Sequence, residues 1–224
     1  YLTEEKTKLL PNKKNKNSEW LWILDPLDGT KDFIEGTDDY AMHIALNYQN
    51  KPYIGIVLIP KRDELWISNG EKVWCEKRDG SLININLSKK NNLKEMVLVT
   101  SKNHISATLQ KIIDKIEFKN IVKMGSIGCK ISSIIRGDAD IYISLSLPGK
   151  SSPKDWDFAA PEAILTTSGG AITNLKNEDL SYNNSNFEQR GLIIASSNKD
   201  THKDVCSQIK QIIKDANIDE MIFN

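Results

Sequence analysis

Apolar and polar positions alternate at period two in the first part of the chain and shift to helical spacing in the second. Residues 20–24 read as a short apolar strand. Residues 42–47 and 53–59 read as the two strands of a hairpin, joined through Gln49-Asn50-Lys51-Pro52. Residues 64–68, 72–75 and 81–87 continue the antiparallel pattern, punctuated by Asn69-Gly70 and Asp79-Gly80. Beyond them, apolar strands at 96–100, 121–124, 141–145, 171–174 and 192–195 alternate with helical patterns over 105–116, 128–135, 157–167 and 204–214. Strands interleaved with helices imply a second, more parallel sheet. The pattern predicts a layered α/β sandwich. An antiparallel-sheet half covers residues 1–91, and a mixed or parallel α/β half covers 92–224. Residues 6–18, rich in Lys and Asn and containing Pro11, read as a solvated loop.

Composition adds limits. The 224 residues are enough for a sizeable core, and 30 basic residues balance 30 acidic ones. No global field therefore favours nucleic acid or a membrane surface, and any attraction for an anion must be local. No apolar run is long enough to span a bilayer. Cys75, Cys129 and Cys206 are scattered and odd in number, which suits a reducing compartment and a cytoplasmic location better than a disulfide framework.

The candidate chemistry begins where the apolar strand at 20–24 runs into Asp25-Pro26-Leu27-Asp28-Gly29-Thr30. Pro26 restricts one backbone angle and Gly29 permits a sharp exit, so the two carboxylates can converge instead of alternating across a strand. Magnesium takes hard oxygen ligands, and a few carboxylates plus phosphate oxygens satisfy it. Taken alone, the segment is equally well a surface turn, since Asp-Pro and Asp-Gly are common turn dipeptides. Far downstream stands Trp156-Asp157-Phe158-Ala159-Ala160, where Asp157 alone would be read as a helix cap. Glu4-Glu5 alone would pass as solvated charge.

The two aspartate-containing segments together resemble both signatures of the inositol monophosphatase superfamily of magnesium-dependent, lithium-sensitive phosphatases, and Leu2-Thr3-Glu4-Glu5 resembles its upstream Glu-Glu element. The resemblance runs over essentially the whole chain. The stretch Asp28-Gly29-Thr30-Lys31-Asp32-Phe33 is most similar to the bisphosphate nucleotidase branch, which hydrolyses 3'-phosphoadenosine 5'-phosphate. The resemblance implies that Glu4, Asp25, the Leu27 carbonyl, Asp28 and Asp157 hold two or three Mg2+ ions, with Glu5 in support. It implies phosphomonoester hydrolysis by direct attack of water, one metal activating the water and another neutralising the leaving oxygen. Thr30, Glu4 and Asp28 would be the catalytic residues, Thr30 orienting the attacking water. Members of the superfamily typically pair this Thr with an Asp from helices ahead of the Glu-Glu element. No residue here precedes Tyr1, so the expectation is weak or no activity for this stretch alone and an active full-length protein.

Several residues are expected at the substrate. The Gly29, Thr30 and Lys31 segment would face a phosphate. Gly125-Ser126-Ile127-Gly128-Cys129-Lys130 precedes a helix and is similar to the nucleotide-binding element of that branch, so Ser126 and Lys130 would contact phosphate or ribose. His104, in Ser101-Lys102-Asn103-His104, would pack against adenine or hydrogen-bond it. Lys150 and Lys154 precede Asp157 in a polar loop with no acid over 147–154, which suits a second phosphate better than sugar hydroxyls. Against the nucleotidase branch, Tyr142-Ile143-Ser144 offers Ser where many relatives carry Arg. His43 reads as structural, and Trp20, Trp22, Trp66 and Trp74 read as sheet packing.

The leading reading is a 3'(2'),5'-bisphosphate nucleotidase that releases AMP and phosphate and serves sulfur metabolism. A small nucleotide bisphosphate is its partner, without nucleic acid or membrane, and a homodimer is compatible with it. The alternatives are an inositol or other sugar monophosphatase using the same metals, and a catalytically silent nucleotide-binding regulatory protein.

Overall fold

In the computed structural model, which describes residues 1–5 and 19–218, period-two alternation has become two sheets with helices between and beyond them. The expected loop at 6–18 lies outside the described residues. The first sheet has seven strands in sequence order: β1 (Leu2–Thr3), β2 (Trp20–Asp28), β3 (Ala41–Tyr48), β4 (Lys51–Ile59), β5 (Glu64–Ser68), β6 (Val73–Glu76) and β7 (Leu82–Ile83). It is an antiparallel meander except that β1 joins β2 in parallel. A short helix, α1 (Thr30–Glu35), links β2 to β3.

The second sheet contains β8 (Val97–Ser101), β9 (Asn120–Met124), β10 (Ile141–Ser146), β11 (Ala171–Asn174) and β12 (Gly191–Ser196), in the order β11-β12-β10-β8-β9. It is mixed: β8 is parallel to both its neighbours, whereas β12 is antiparallel to both of its own. Its helices are α2 (Ala107–Ile116), α3 (Ile127–Arg136), α4 (Asp155–Ser168) and α5 (Lys199–Asp215). The strand expected over 81–87 shrinks to two residues because the chain then leaves the sheet. The Asn86 amide donates instead to the Ile135 carbonyl at the end of α3, at 2.9 Å.

Burial follows the periods. Ala41, His43, Ala45 and Asn47 point from β3 to the interior, where α3 and α4 lie between the two sheets. The small residues Ala160 and Ala163 bring α4 close to β4. A Cβ on Gly55 would stand 2.6 Å from the Ala160 carbonyl oxygen, so this approach needs glycine. On β10, Ile141, Ile143 and Leu145 join a second cluster with α2 and α5, while Tyr142 faces the α3 and α4 side. The layers therefore run sheet, helices, sheet, helices.

The other face of the first sheet is apolar as well. Leu24, Ile44, Ile56 and Ile67 stand in register across β2 to β5, and Trp22, Leu46 and Ile54 form a parallel row. These side chains are only partly buried, and Trp20 and Trp22 are each 47% exposed. Trp66 fulfils the sheet-packing expectation as a fully buried residue, and Trp20 packs across strands on the exposed face, on Tyr48, with ring centroids 4.5 Å apart.

Candidate active site

The site is built at the end of β2. In register, Asp25 opposes His43 and Asp28 opposes Ala41, so β2 carries one residue more than β3 between these pairs. Without that bulge, strict alternation would turn Asp28 away from the face that Asp25 uses. With it, both carboxylates point inward. Gly29 then reverses the chain at φ +87, a left-handed conformation in which a Cβ would also stand 2.7 Å from the Asp39 carbonyl oxygen. The parallel pairing Leu2↔Ile23 and Thr3↔Leu24 delivers Glu4 beside Asp25. The charge of Glu4 is felt at both Asp25 and Asp157.

Asp157 arrives from the other half of the chain, in the first turn of α4. There its Oδ2 accepts the Lys154 amide at 2.6 Å. The helix begins two residues before the expected start, so Asp157 is its third residue and Lys154 the cap position. Each of the three aspartates has one oxygen held by a donor. Asp25 Oδ1 accepts the Leu27 amide at 3.0 Å. Asp28 Oδ2 accepts the Ser126 hydroxyl and the Ile127 amide, each at 2.6 Å, and the Gly128 amide at 3.4 Å. Asp25, Asp28 and Asp157 offer ligand oxygens that all lie within 4.8 Å of one another.

Such crowding is costly for bare carboxylates. Burial, then the charges of Asp28 and Asp157, push the Asp25 carboxyl up to about 9. Burial, then Asp28, push Asp157 up to about 7. A hard divalent cation removes that penalty, and the donor set is the all-oxygen kind that magnesium takes. The residues present therefore fit the metal. The Leu27 carbonyl also accepts the Thr30 hydroxyl at 3.1 Å, and its second lone pair remains for a cation.

Above these acids opens a cavity of about 360 Å³. Asp28, Gly29, Thr30 and Lys31 line one side, and Asp157 lies at its base. Lys130, Tyr142, Ser144 and Ser146 form another wall, and Ser101, Asn103 and His104 a third. A second hollow of about 300 Å³ shares Asn103, His104, Ser146 and Ser151 with it and adds Lys150. Thus Gly29, Thr30, Lys31, His104 and Lys130 reach the first cavity, and Lys150 reaches only the second hollow beside it. Ser126 sits behind it, committed to Asp28 and to capping α3 through the Cys129 amide at 3.3 Å. Lys154 lines neither hollow, and its Nζ pairs with Glu188 at 2.8 Å. Lys130 is almost fully buried, donates to the Gly125 carbonyl and lies 5.6 Å from the Tyr142 ring centroid. Burial lowers its pKa.

The chain belongs to the inositol monophosphatase family. The model of that family matches residues 1–214. Among curated family relatives, the 3'(2'),5'-bisphosphate nucleotidase CysQ of Buchnera aphidicola is 33% identical over 75% of this chain. The chain spans 60% of that relative's length. The bifunctional phosphatase IMPL2 of Arabidopsis thaliana is 31% identical over 71% of this chain and 44% of its own length. Among solved family structures, inositol monophosphatase-II of Staphylococcus aureus superposes with TM-score 0.72 at 24% identity, over 97% of this chain and 76% of that one. CysQ of Bacteroides thetaiotaomicron gives 0.66 at 22%, over 84% and 78%. These likenesses establish the layered α/β sandwich of the family.

Sequence reasoning left His43 as a core residue. In the folded family member its Nε2 stands 3.5 Å from Asp28 Oδ2, and its Nδ1 is 3.4 Å from the Trp156 carbonyl. Its inward parity on β3, shared with Ala41 and Ala45, was the available signal. Asp32 and Lys102 were also missed, because neither stands out without the contacts that join them. Cys75, Cys129 and Cys206 are free and buried, and no helix among the described residues is long and apolar enough to cross a membrane.

Proposed function

We propose that this protein is a magnesium-dependent phosphomonoesterase that removes the 3'-phosphate of 3'-phosphoadenosine 5'-phosphate, giving AMP and inorganic phosphate. The observation that carries this reading is a carboxylate cluster at the base of a cavity whose far wall opens into a second, lysine-bearing hollow. The first space accepts a phosphoryl group, and the second leaves room for a large leaving group with a charge of its own. The nucleotidases among the relatives support the same direction.

Glu4, Asp25, the Leu27 carbonyl, Asp28 and Asp157 would hold the metal. Bound Mg2+ supplies positive charge that acidifies water and withdraws electrons from phosphoryl oxygens. The protein's own contribution is positioning. Thr30 donates its hydroxyl hydrogen to Leu27, so the oxygen lone pairs are what it presents to the cavity, and there it accepts a hydrogen bond from the attacking water. Ser126 and the first amides of α3 hold Asp28 in place. The buried cation of Lys130 draws the phosphoryl end inward, and His104 and Lys150 meet the nucleoside and its 5'-phosphate.

A second reading is an inositol or other sugar monophosphatase. The hydroxyl-rich wall of Ser144, Ser146 and Ser151 favours it, since such a wall suits a polyol. Phosphate release from adenosine 3',5'-bisphosphate and from inositol monophosphate, measured in parallel with Mg2+, separates the two. A higher kcat/KM on the nucleotide is expected, and preference for inositol phosphate refutes the nucleotidase reading. Tight nucleotide binding without any phosphate release would show a silent binder instead.

A further inference from the structure

We infer that Lys102 is a positioning residue that sets which leaving group the cavity accepts, by clamping the wall that carries Ser101, Asn103 and His104 onto the segment that follows the metal-binding turn. The inference rests on the hydrolase reading above and adds leaving-group selection to it. Lys102 itself is not among the residues lining either hollow, whereas its neighbours Ser101, Asn103 and His104 are. Its ammonium instead forms an ion pair with Asp32, which lines the first cavity with Thr30 and Lys31, and stands 3.3 Å from Asp39 and 3.4 Å from the Thr37 hydroxyl. Three N–H donors thus meet three oxygens.

The anchor on the far side is itself held by several partners. Asp32 is 1% exposed and also accepts the Thr37 hydroxyl at 2.9 Å and the Asn103 side-chain Nδ2 at 3.4 Å. Asp39 is held by Arg62 at 2.7 Å and by the Gly125 amide at 3.3 Å. A Cβ on Gly125 would run into Asp32 Oδ2, so the cluster is packed directly against the backbone at the end of β9. Lys102 also ties its own amide to the Met124 carbonyl at 3.1 Å. The clamp therefore joins α1, which carries Thr30 and Asp32, and the loop after it, which carries Asp39, to the ends of β8 and β9. Inside the wall, Ser101 Oγ accepts the Asn103 and His104 amides at 3.3 and 3.1 Å. Loss of the lysine side chain leaves this local turn and the backbone bond to Met124 intact, but removes the ion pairs that hold the turn against Asp32 and Asp39 and so lets it shift as a unit. Displacement of that unit penalises a substrate that touches it and spares one that does not. A shift of about 1 Å costs up to roughly 100-fold in rate.

The test uses Lys102→Met and Lys102→Arg in the complete natural polypeptide with Mg2+. The ring-bearing substrate that the wild type prefers is compared with p-nitrophenyl phosphate. The expected result for Lys102→Met is a loss of roughly tenfold or more in kcat/KM on the preferred substrate, carried by KM. Turnover of p-nitrophenyl phosphate should stay within about threefold, with partial recovery in Lys102→Arg. An equal loss on both substrates, or no loss on either, overturns the inference. Should Lys102→Met not fold because Asp32 is left buried and unpaired, the double variant Lys102→Met with Asp32→Asn removes both charges and is read by the same ratio. A wild type that prefers inositol phosphate refutes the nucleotide reading and leaves this comparison intact.

Discussion

Asp157→Asn should make the metal-free protein more stable while removing its response to magnesium. In the folded chain, burial and then the Asp28 charge raise the Asp157 carboxyl from 3.8 to about 7. A carboxyl raised in this direction weighs least on folding below its unfolded pKa, where both states hold the proton. Its cost grows as pH rises through the folded value and is complete above it. At pH 8 the shift corresponds to at most roughly 4 kcal/mol against folding. Asparagine carries no charge, and its side-chain oxygen still accepts the Lys154 amide that Asp157 accepts at 2.6 Å, so the start of α4 is preserved. The gain in EDTA at pH 8 is therefore about 2–4 kcal/mol, or very roughly 5–10 °C in Tm for a chain of this size. In the wild type, Mg2+ at about 100 times its Kd adds roughly 2.7 kcal/mol, and the variant should gain far less. Urea unfolding of both proteins, in EDTA and in excess Mg2+, measures all four states. A variant less stable than wild type in EDTA, or one stabilised equally by magnesium, would show that these acids are not a metal site under electrostatic load.

Three further outcomes follow from the same geometry. Thr30→Ala should lower kcat by about 100-fold with the Mg2+ dependence unchanged, and Thr30→Ser should keep most activity, as steady-state kinetics will show. Gly128→Ala would ordinarily stabilise a helix, but its Cβ would meet His43 Nε2 and come within 2.8 Å of Val57. A net loss of about 1–3 kcal/mol is expected by urea unfolding, and an unchanged midpoint would mean that α3 can back away freely from β3. His202 is buried between the hydroxyls of Ser196 and Thr173, at 2.7 and 2.8 Å, and burial lowers its pKa from 6.5 to about 4. Folding thus loses roughly 3 kcal/mol as pH falls from 6.5 to 4, because only the unfolded chain takes up this proton. His202→Gln should lose less stability than wild type over that interval, and equal losses would contradict the assignment.

Most strands and four of the helices could be read from the chain because sheet and helix periods are local properties of side-chain order. The segments around Asp25, Asp28 and Asp157 were legible for a similar reason, since their residue types and spacing survive without coordinates. The short α1 was not, because six residues are too few to establish a helical period. The truncation of β7 was also hidden, because it depends on Asn86 finding a carbonyl at the end of α3.

What the sequence alone determined was the inventory: alternating strands, amphipathic helices and acids of the type that bind magnesium. Only the tertiary structure decided how that inventory meets. The bulge in β2 turns Asp28 onto the face of Asp25, and the pairing of β1 adds Glu4. The first turn of α4 supplies Asp157. It also decided that Ser126 orients Asp28 and that Lys102 ties one wall of the cavity to α1. The physical reason is range. Periodicity is set by neighbours a few residues apart, whereas strand register, helix approach and charge pairing are set by contacts between segments up to more than a hundred residues apart.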